Sequence, residues 1–239
     1  LVLKWKQEGN VPLALPGPDG RAPSPRNFLG FLDGSANPDT ADASLMESLV
    51  WVDPGRGEPG WALGGSYQLV RIIRNLVERW DRTPLGEQER IMGRVRANGA
   101  PLDRPEADEF AAPDYEADPD GLVTPLDAHI RLANPRTPET EDALILRRGF
   151  NYSNGLTAAG QLDQGLLFIC YQADLERGFI AVQRRLDGEP LEEYIRPVGG
   201  GYFFTLPGAR DASDHLGSTL IAALRSPATQ HPRIPNTGD

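Results

Sequence analysis

Between Gly64 and Arg82 the apolar side chains Leu69, Ile72, Ile73, Leu76, Val77 and Trp80 recur every three or four residues. That spacing places them on one face of an α-helix and predicts a helix over 64–82. Thr83 and Pro84 read as the N-cap and first residue of a second helix that ends near Gly99. Leu49–Val52 is short and apolar and predicts a strand. Further on, Leu166–Tyr171 is an unbroken apolar run, too short for a helix and suited to a buried strand. Gly201–Leu206 reads the same way. Glu176–Leu186 carries Phe179, Val182 and Leu186 on one helical face, and Ser213–Leu224 reads as a closing helix capped by Ser213.

The segments between these elements are irregular. Gly and Pro crowd residues 9–26, which predicts a long loop. Residues 100–125 carry five prolines and many acids, and they predict an exposed loop whose carboxylates form a solvated surface. A calcium site there would lack EF-hand spacing. Strands followed by helices without a regular βαβ rhythm predict an α+β fold, read as one domain over 1–239. There is no internal repeat.

Composition narrows the function classes. The 239 residues carry a formal charge of −10, and the basic residues are scattered rather than clustered. Nucleic-acid binding needs a basic stripe, so it is not expected. No apolar run reaches the length of a membrane span. Lys4 and Lys6 are the only lysines. The reliance on arginine fits genome composition, and guanidinium also suits carboxylate partners. Cys170 is the sole cysteine, which excludes an intrachain disulfide; within Leu166–Tyr171 it reads as a small buried hydrophobe. The opening LVLKWKQEGN shows no charged-then-apolar leader, so no signal peptide is expected in this chain.

Candidate chemistry concentrates in two segments. Asn27–Pro38 (NFLGFLDGSANP) holds one carboxylate, Asp33, in a glycine-flanked turn. His129–Arg148 joins a histidine to Arg131, Arg136, Arg147 and Arg148. Taken singly, each has an ordinary reading. Asp-Gly is a common turn, paired arginines commonly make surface salt bridges, and a lone histidine is more often structural than a ligand. Together, an acid, an imidazole and guanidinium groups match what a haem peroxidase needs. His215 reads as exposed or structural and His231, in a proline-rich tail, as solvated.

These two segments resemble the dye-decolorising peroxidases, in particular the bacterial deferrochelatase-type branch. GLLFICYQADLERGFIAVQRRL and EPLEEYIRPVGGGYFFTLPG extend the likeness over most of the chain. The resemblance implies a ferredoxin-like antiparallel sheet with packed helices and haem b (iron protoporphyrin IX) at one edge. It implies that His129, heading H-I-R-x-x-N-P-R, ligates the haem iron and that Asp33 of G-x-x-D-G is the distal acid–base residue. Arg147, first in R-R-G-[FY], is implied as the distal arginine. Gly34, Ser35 and Ala36, then Asn134, Pro135 and Arg136, are implied to touch the haem. Arg131 and Arg136 are expected to pair its propionates, and Leu166 and Phe168, two apart on a strand, to form an apolar wall over it.

A ligating imidazole needs an acceptor for its other nitrogen, and Glu192 and Glu193 are the candidates. Tyr152, Tyr171, Tyr194, Tyr202, Trp51, Trp61 and Trp80 read as packing residues or radical carriers. The implied activity is oxidation of dyes, phenols or similar organic reductants by hydrogen peroxide. Iron release from haem and non-catalytic haem binding are the alternatives. The family's motif usually follows a substantial N-terminal half, whereas here it begins at Gly30. The chain is therefore expected to be the C-terminal part of a longer protein, exported and bacterial by the same resemblance, whose N-terminal half is removed or forms a second chain; a short variant and pairing with a second copy are the alternatives.

Overall fold

A five-stranded antiparallel sheet forms the centre of the protein, and its middle strand is the segment whose spacing predicts a helix. The computed structural model describes residues 2, 3, 5–13, 15, 16, 20 and 22–226. His231 lies outside them. The strands are β1 (Ser66–Asn75), β2 (Leu146–Arg147), β3 (Phe150–Leu156), β4 (Leu162–Gln172) and β5 (Ile195–Thr205). They run β2-β4-β1-β5 across the sheet, with β3 also paired to β4. This is the expected α+β architecture.

The helix expected over 64–82 is replaced by β1 and a single turn, α2 (Val77–Trp80). Ile72 and Ile73 obey a helical period, yet Leu69, Arg71, Ile73 and Asn75 also alternate onto one strand face. Neighbours on both sides decide between the two. β4 and β5 satisfy the backbone donors and acceptors of β1 along its length, and its β-branched side chains suit the pleat. Register then stacks Leu69 beside Cys170, Arg71 beside Phe168 and Ile73 beside Leu166. β5 approaches so closely at Gly200 (φ 133°) that a Cβ there would lie 2.0 Å from the Val70 carbonyl oxygen. Only glycine fits that crossing.

Leu166–Tyr171 falls within β4, and Gly201–Thr205 within β5, as expected. Three helical boundaries differ from expectation. Leu49–Val52 is no strand: Leu49 ends α1 (Ala43–Leu49), whose N-cap Asp42 accepts from Leu45 N–H at 3.0 Å. Met46, Leu49 and Val50 form its buried stripe. α3 covers Leu85–Met92 and stops at Gly93 (φ 86°), with Pro84 as N-cap rather than first helical residue. α6 covers Ser218–Arg225; Ser213 instead donates its hydroxyl and N–H to Asp211, and the exposed His215 lies in the irregular segment ahead of the helix. Glu176–Leu186 is helical as expected but kinked at Gly178, giving a π-helical turn and then α5 (Ala181–Leu186).

Residues 100–125 lack regular structure, yet they are not simply solvated. Glu109 and Asp118 are buried. No group of three or more His, Cys, Asp or Glu side chains suited to a metal occurs among the described residues. The Asp118 carboxylate accepts from the N–H groups of Leu122, Val123 and Thr124 at 2.7, 3.2 and 2.9 Å and from Arg131 Nη1 at 3.2 Å. Buried charge survives only when it is so partnered. Thr124 N–H, followed by Val123, Leu122 and the Arg131 charge, holds the Asp118 carboxyl below its ordinary range. A depressed carboxyl stabilises the fold fully above its unfolded value of about 3.9, and that stability is lost as pH falls through the folded value. Asp118→Asn should therefore lower stability at neutral pH. The gap from wild type should narrow on acidification below about pH 4. Denaturant unfolding across pH checks this, and a gap independent of pH contradicts it.

Candidate active site

A cavity of about 410 Å³ opens against the sheet face that carries Arg71 and Ile73 of β1 and Leu166 and Phe168 of β4. The remaining wall comes from α4 (His129–Ala133), α5 and the Asn27–Ala36 turn. Its lining is mostly apolar, with Leu29, Phe31, Met92, Ile130, Phe179 and Ile195 among the contributors. Five arginines (71, 94, 136, 147 and 196) stand against three carboxylates (Asp33, Glu189 and Glu192), so the cavity is cationic within an acidic chain.

His129 begins α4, and its Nδ1 lies 2.7 Å from Glu189 Oε2. Ionised carboxylate only accepts, so Nδ1 carries a proton, and in the neutral ring Nε2 keeps a lone pair. Glu189 is the acceptor; the candidates Glu192 and Glu193 are not. Glu192 accepts from Gly188 N–H at 3.1 Å, and Glu193 pairs with Arg79 at the surface. Glu189 precedes Pro190 in the turn after α5, and its side chain is only 4% exposed. Of the three glutamates within these five residues only Glu189 stands directly before a proline, which was the available signal.

Asp33 and Arg147 come together although 114 residues separate them, with Nη1 to Oδ1 at 3.0 Å. Asn37 fixes the arginine backbone from both sides, accepting from Arg147 N–H at 3.1 Å and donating to its carbonyl at 3.0 Å. The turn bearing Asp33 is braced by Trp80, whose indole N–H donates to Leu29 O at 2.8 Å, and by Asn27, which accepts from Leu29 and Phe31 N–H. Gly34 adopts φ 127°, a conformation that residues with a Cβ rarely take.

Gly34, Ser35, Ala36, Asn134, Arg136, Leu166 and Phe168 all line the cavity, but Pro135 does not. Its ring instead ends α4 and sets up Arg136, which takes the strained φ of 60°. Arg131 is also absent from the cavity. It is spent on Asp118 and on the Thr124 and Asp118 carbonyls at 2.7 and 2.8 Å, and stacks on Tyr115. The sequence reading missed Arg94 and Tyr115. Arg94 donates to the Gly99, Glu109 and Ala111 carbonyls, and burial lowers its pKa. Burial also pushes the Tyr115 phenol up to about 12. Cys170, on the same sheet face as Leu166 and Phe168, is buried against Leu69 and Phe179 with its thiol pushed up to about 12, which removes it as a thiolate ligand.

Residues 24–210 match the family model described as Dyp-type peroxidase, C-terminal. The chain belongs to the Dyp-type peroxidase family. It is 56% identical over 221 residues to a deferrochelatase of Escherichia coli O6:K15:H31, covering 92% of this chain and 52% of that relative. The chain thus spans about half the length of the curated relatives it matches. Among solved structures, an oxyferrous complex of DtpA from Streptomyces lividans is 38% identical with a TM-score of 0.75, covering 86% of this chain and 55% of that one. A DyP-type peroxidase from Cellulomonas bogoriensis is 37% identical with a TM-score of 0.73, covering 87% and 55%.

Within this Dyp-type fold the Gly34 conformation generates a structural expectation. A Cβ at Gly34 meets nothing closer than 3.6 Å, so substitution costs backbone strain rather than a clash. Gly34→Ala should destabilise by on the order of 1–3 kcal/mol and lower Tm by several degrees. Thermal unfolding of the haem-free protein checks it; an unchanged Tm would mean the turn relaxes freely.

Proposed function

We propose that this protein is a haem peroxidase that reduces hydrogen peroxide at the expense of organic reductants such as dyes or phenols. The observation that carries the reading is the convergence of two prepared groups on one apolar, arginine-rimmed cavity: an imidazole with a bare Nε2 and the Asp33–Arg147 pair. Those residues fit haem b. His129 Nε2 would ligate the iron, with Glu189 raising its basicity. Leu166, Phe168, Ile130 and Phe179 would cover apolar porphyrin surface. Arg136, which makes no side-chain ion pair among the described residues, would meet a propionate. When bound, haem supplies the two-electron redox chemistry that no side chain here provides.

The protein's own groups then handle the proton and the charge. Arg147 occupies one oxygen of Asp33, leaving Oδ2 to take a proton from one peroxide oxygen and deliver it to the other. The Arg147 guanidinium, positive at every working pH, stabilises the charge that develops as the O–O bond lengthens. The exposed Tyr202 lies edge-on to Phe179 at 6.3 Å, and Phe179 lines the cavity, so this pair offers electrons a route from bulky reductants. A companion half or a second copy would cover Val198 and Phe203, which β5 leaves exposed. Export from the cytoplasm, implied by the family, is part of the same proposal and is open to cell fractionation.

The likeness to deferrochelatase favours a second reading, iron release with the porphyrin intact. Porphyrin fluorescence appearing alongside chelator-captured iron would support it. For the peroxidase reading, His129→Ala should lose stable haem binding and the native Soret band. Asp33→Ala and Arg147→Leu should keep haem but slow the peroxide-induced spectral change, Arg147→Leu by roughly 10²–10³-fold. Stopped-flow absorption measures this, and wild-type rates in both variants would overturn the assignment.

A further inference from the structure

Glu109 is a buried acid that the reactions described so far do not use. It lies in the irregular segment between α3 and α4, 5% exposed. No basic side chain bonds its carboxylate among the described residues. Oε1 accepts from Ser24 N–H at 3.0 Å and Oε2 from the Ser35 hydroxyl at 2.5 Å. Ser35 lines the cavity two residues from Asp33, and its Oγ also lies 3.4 Å from Ser24 Oγ. Glu109 and Ser24 also line a second, open groove on the protein surface, with Glu106, Asp108 and Arg26. One carboxylate therefore stands between solvent and the cavity, joined to the cavity by a single hydroxyl. As a clip alone it would be a costly choice. Burying a charge is penalised, and a neutral glutamine could keep both contacts, accepting from Ser24 N–H through Oε1 and donating to Ser35 Oγ through its amide nitrogen.

We propose that Glu109 and Ser35 form a proton relay from the surface groove into the cavity, separate from the Asp33–Arg147 pair. This rests on the peroxidase reading. Reduction of hydrogen peroxide to two waters consumes two electrons and two protons. Asp33 shuttles a proton between peroxide oxygens and so imports none. In the relay, protonated Glu109 transfers its proton to Ser35 Oγ as the Ser35 hydroxyl passes its own proton to an oxygen in the cavity. The Glu109 O–H bond breaks, a new Oγ–H bond forms, the old one breaks, and an O–H bond forms on the acceptor. Glu109 is then reprotonated by water from the groove, and no electrons move through the relay. The hydrogen bond from Ser35 to Glu109 is the ionised, waiting state, and rotation of the hydroxyl reverses its sense. Arg94, whose guanidinium bonds the Glu109 carbonyl, and Arg26, Glu106 and Asp108 in the groove are the charged groups around it.

The test uses haem-loaded protein with Glu109→Gln, Ser35→Ala and the double variant. Peroxide alone drives a first spectral change that needs no net proton, and adding reductant drives the return to the resting spectrum, which does. Each single variant should slow the return roughly tenfold relative to the first change, less than the full worth of positioned proton transfer because water at the cavity mouth offers a parallel path. The double variant should be no slower than either single one, and the pH profile of the return should flatten. Infrared titration of haem-free protein supplies a readout independent of turnover: a carboxyl band absent in Glu109→Gln and shifted in Ser35→Ala. If wild type shows no response to peroxide, the peroxidase reading falls and the relay with it. If wild type cycles and both variants keep its phase ratio and pH profile, losing only thermal stability, Glu109 is a clip and the relay is wrong.

Discussion

The hydrogen bond between Glu189 and His129 is the contact on which the arrangement of the cavity depends. A carboxylate 4% exposed is tolerable only with a strong donor at hand, and the imidazole Nδ1–H at 2.7 Å is that donor. Satisfying one ring nitrogen this way determines what the other can do. Two further bonds keep the partners in place. Arg185 of α5 donates to the Leu132 and Ala133 carbonyls at 2.9 Å each, which binds the end of the histidine helix to the helix leading into the Glu189 turn. Those carbonyls are orphaned by the early end of α4 at Asn134–Pro135. The short helix, the proline that stops it and the arginine that caps it therefore form one device.

The same core supports the other functional wall. Leu29 and Phe31, from the turn that presents Asp33, pack with Trp80 and Ile91 against Leu191, two residues beyond Glu189. Displacing either wall would open a cavity in this cluster, and losing a buried aromatic such as Trp80 costs about 3–5 kcal/mol. The acid turn and the histidine turn are thus held to one another through apolar contact rather than through the chemistry they carry. Charge is distributed to match. The chain is acidic overall, yet its cavity gathers an excess of guanidinium groups, which favours an anionic, carboxylate-bearing occupant.

The candidate site residues were more legible than the elements that position them. Asp33, His129 and Arg147 stand in short motifs whose spacing survives without knowledge of the fold, and all three line the cavity. β1 was misread because Leu69, Ile72, Ile73 and Leu76 satisfy a helical period, while the competing fact, pairing by strands about a hundred residues away, is invisible locally. Arg131 and Arg136 looked equivalent in sequence. Only the fold shows that Arg131 is needed to balance buried Asp118, itself hidden among acids that read as solvated surface. Glu189 was missed for the same reason: three nearby glutamates differ in burial, and burial is a tertiary property.

The tautomer of His129 tests the account most directly. Long-range ¹⁵N–¹H correlation on histidine-labelled, haem-free protein has only three residues to assign. At alkaline pH, where neutral rings dominate, His129 is expected to show a protonated Nδ1 and a bare Nε2, and Glu189→Gln should abolish that preference. A bare Nδ1 and a protonated Nε2 at His129 in the wild type would contradict the account, because the nitrogen proposed to ligate iron would then already hold a proton.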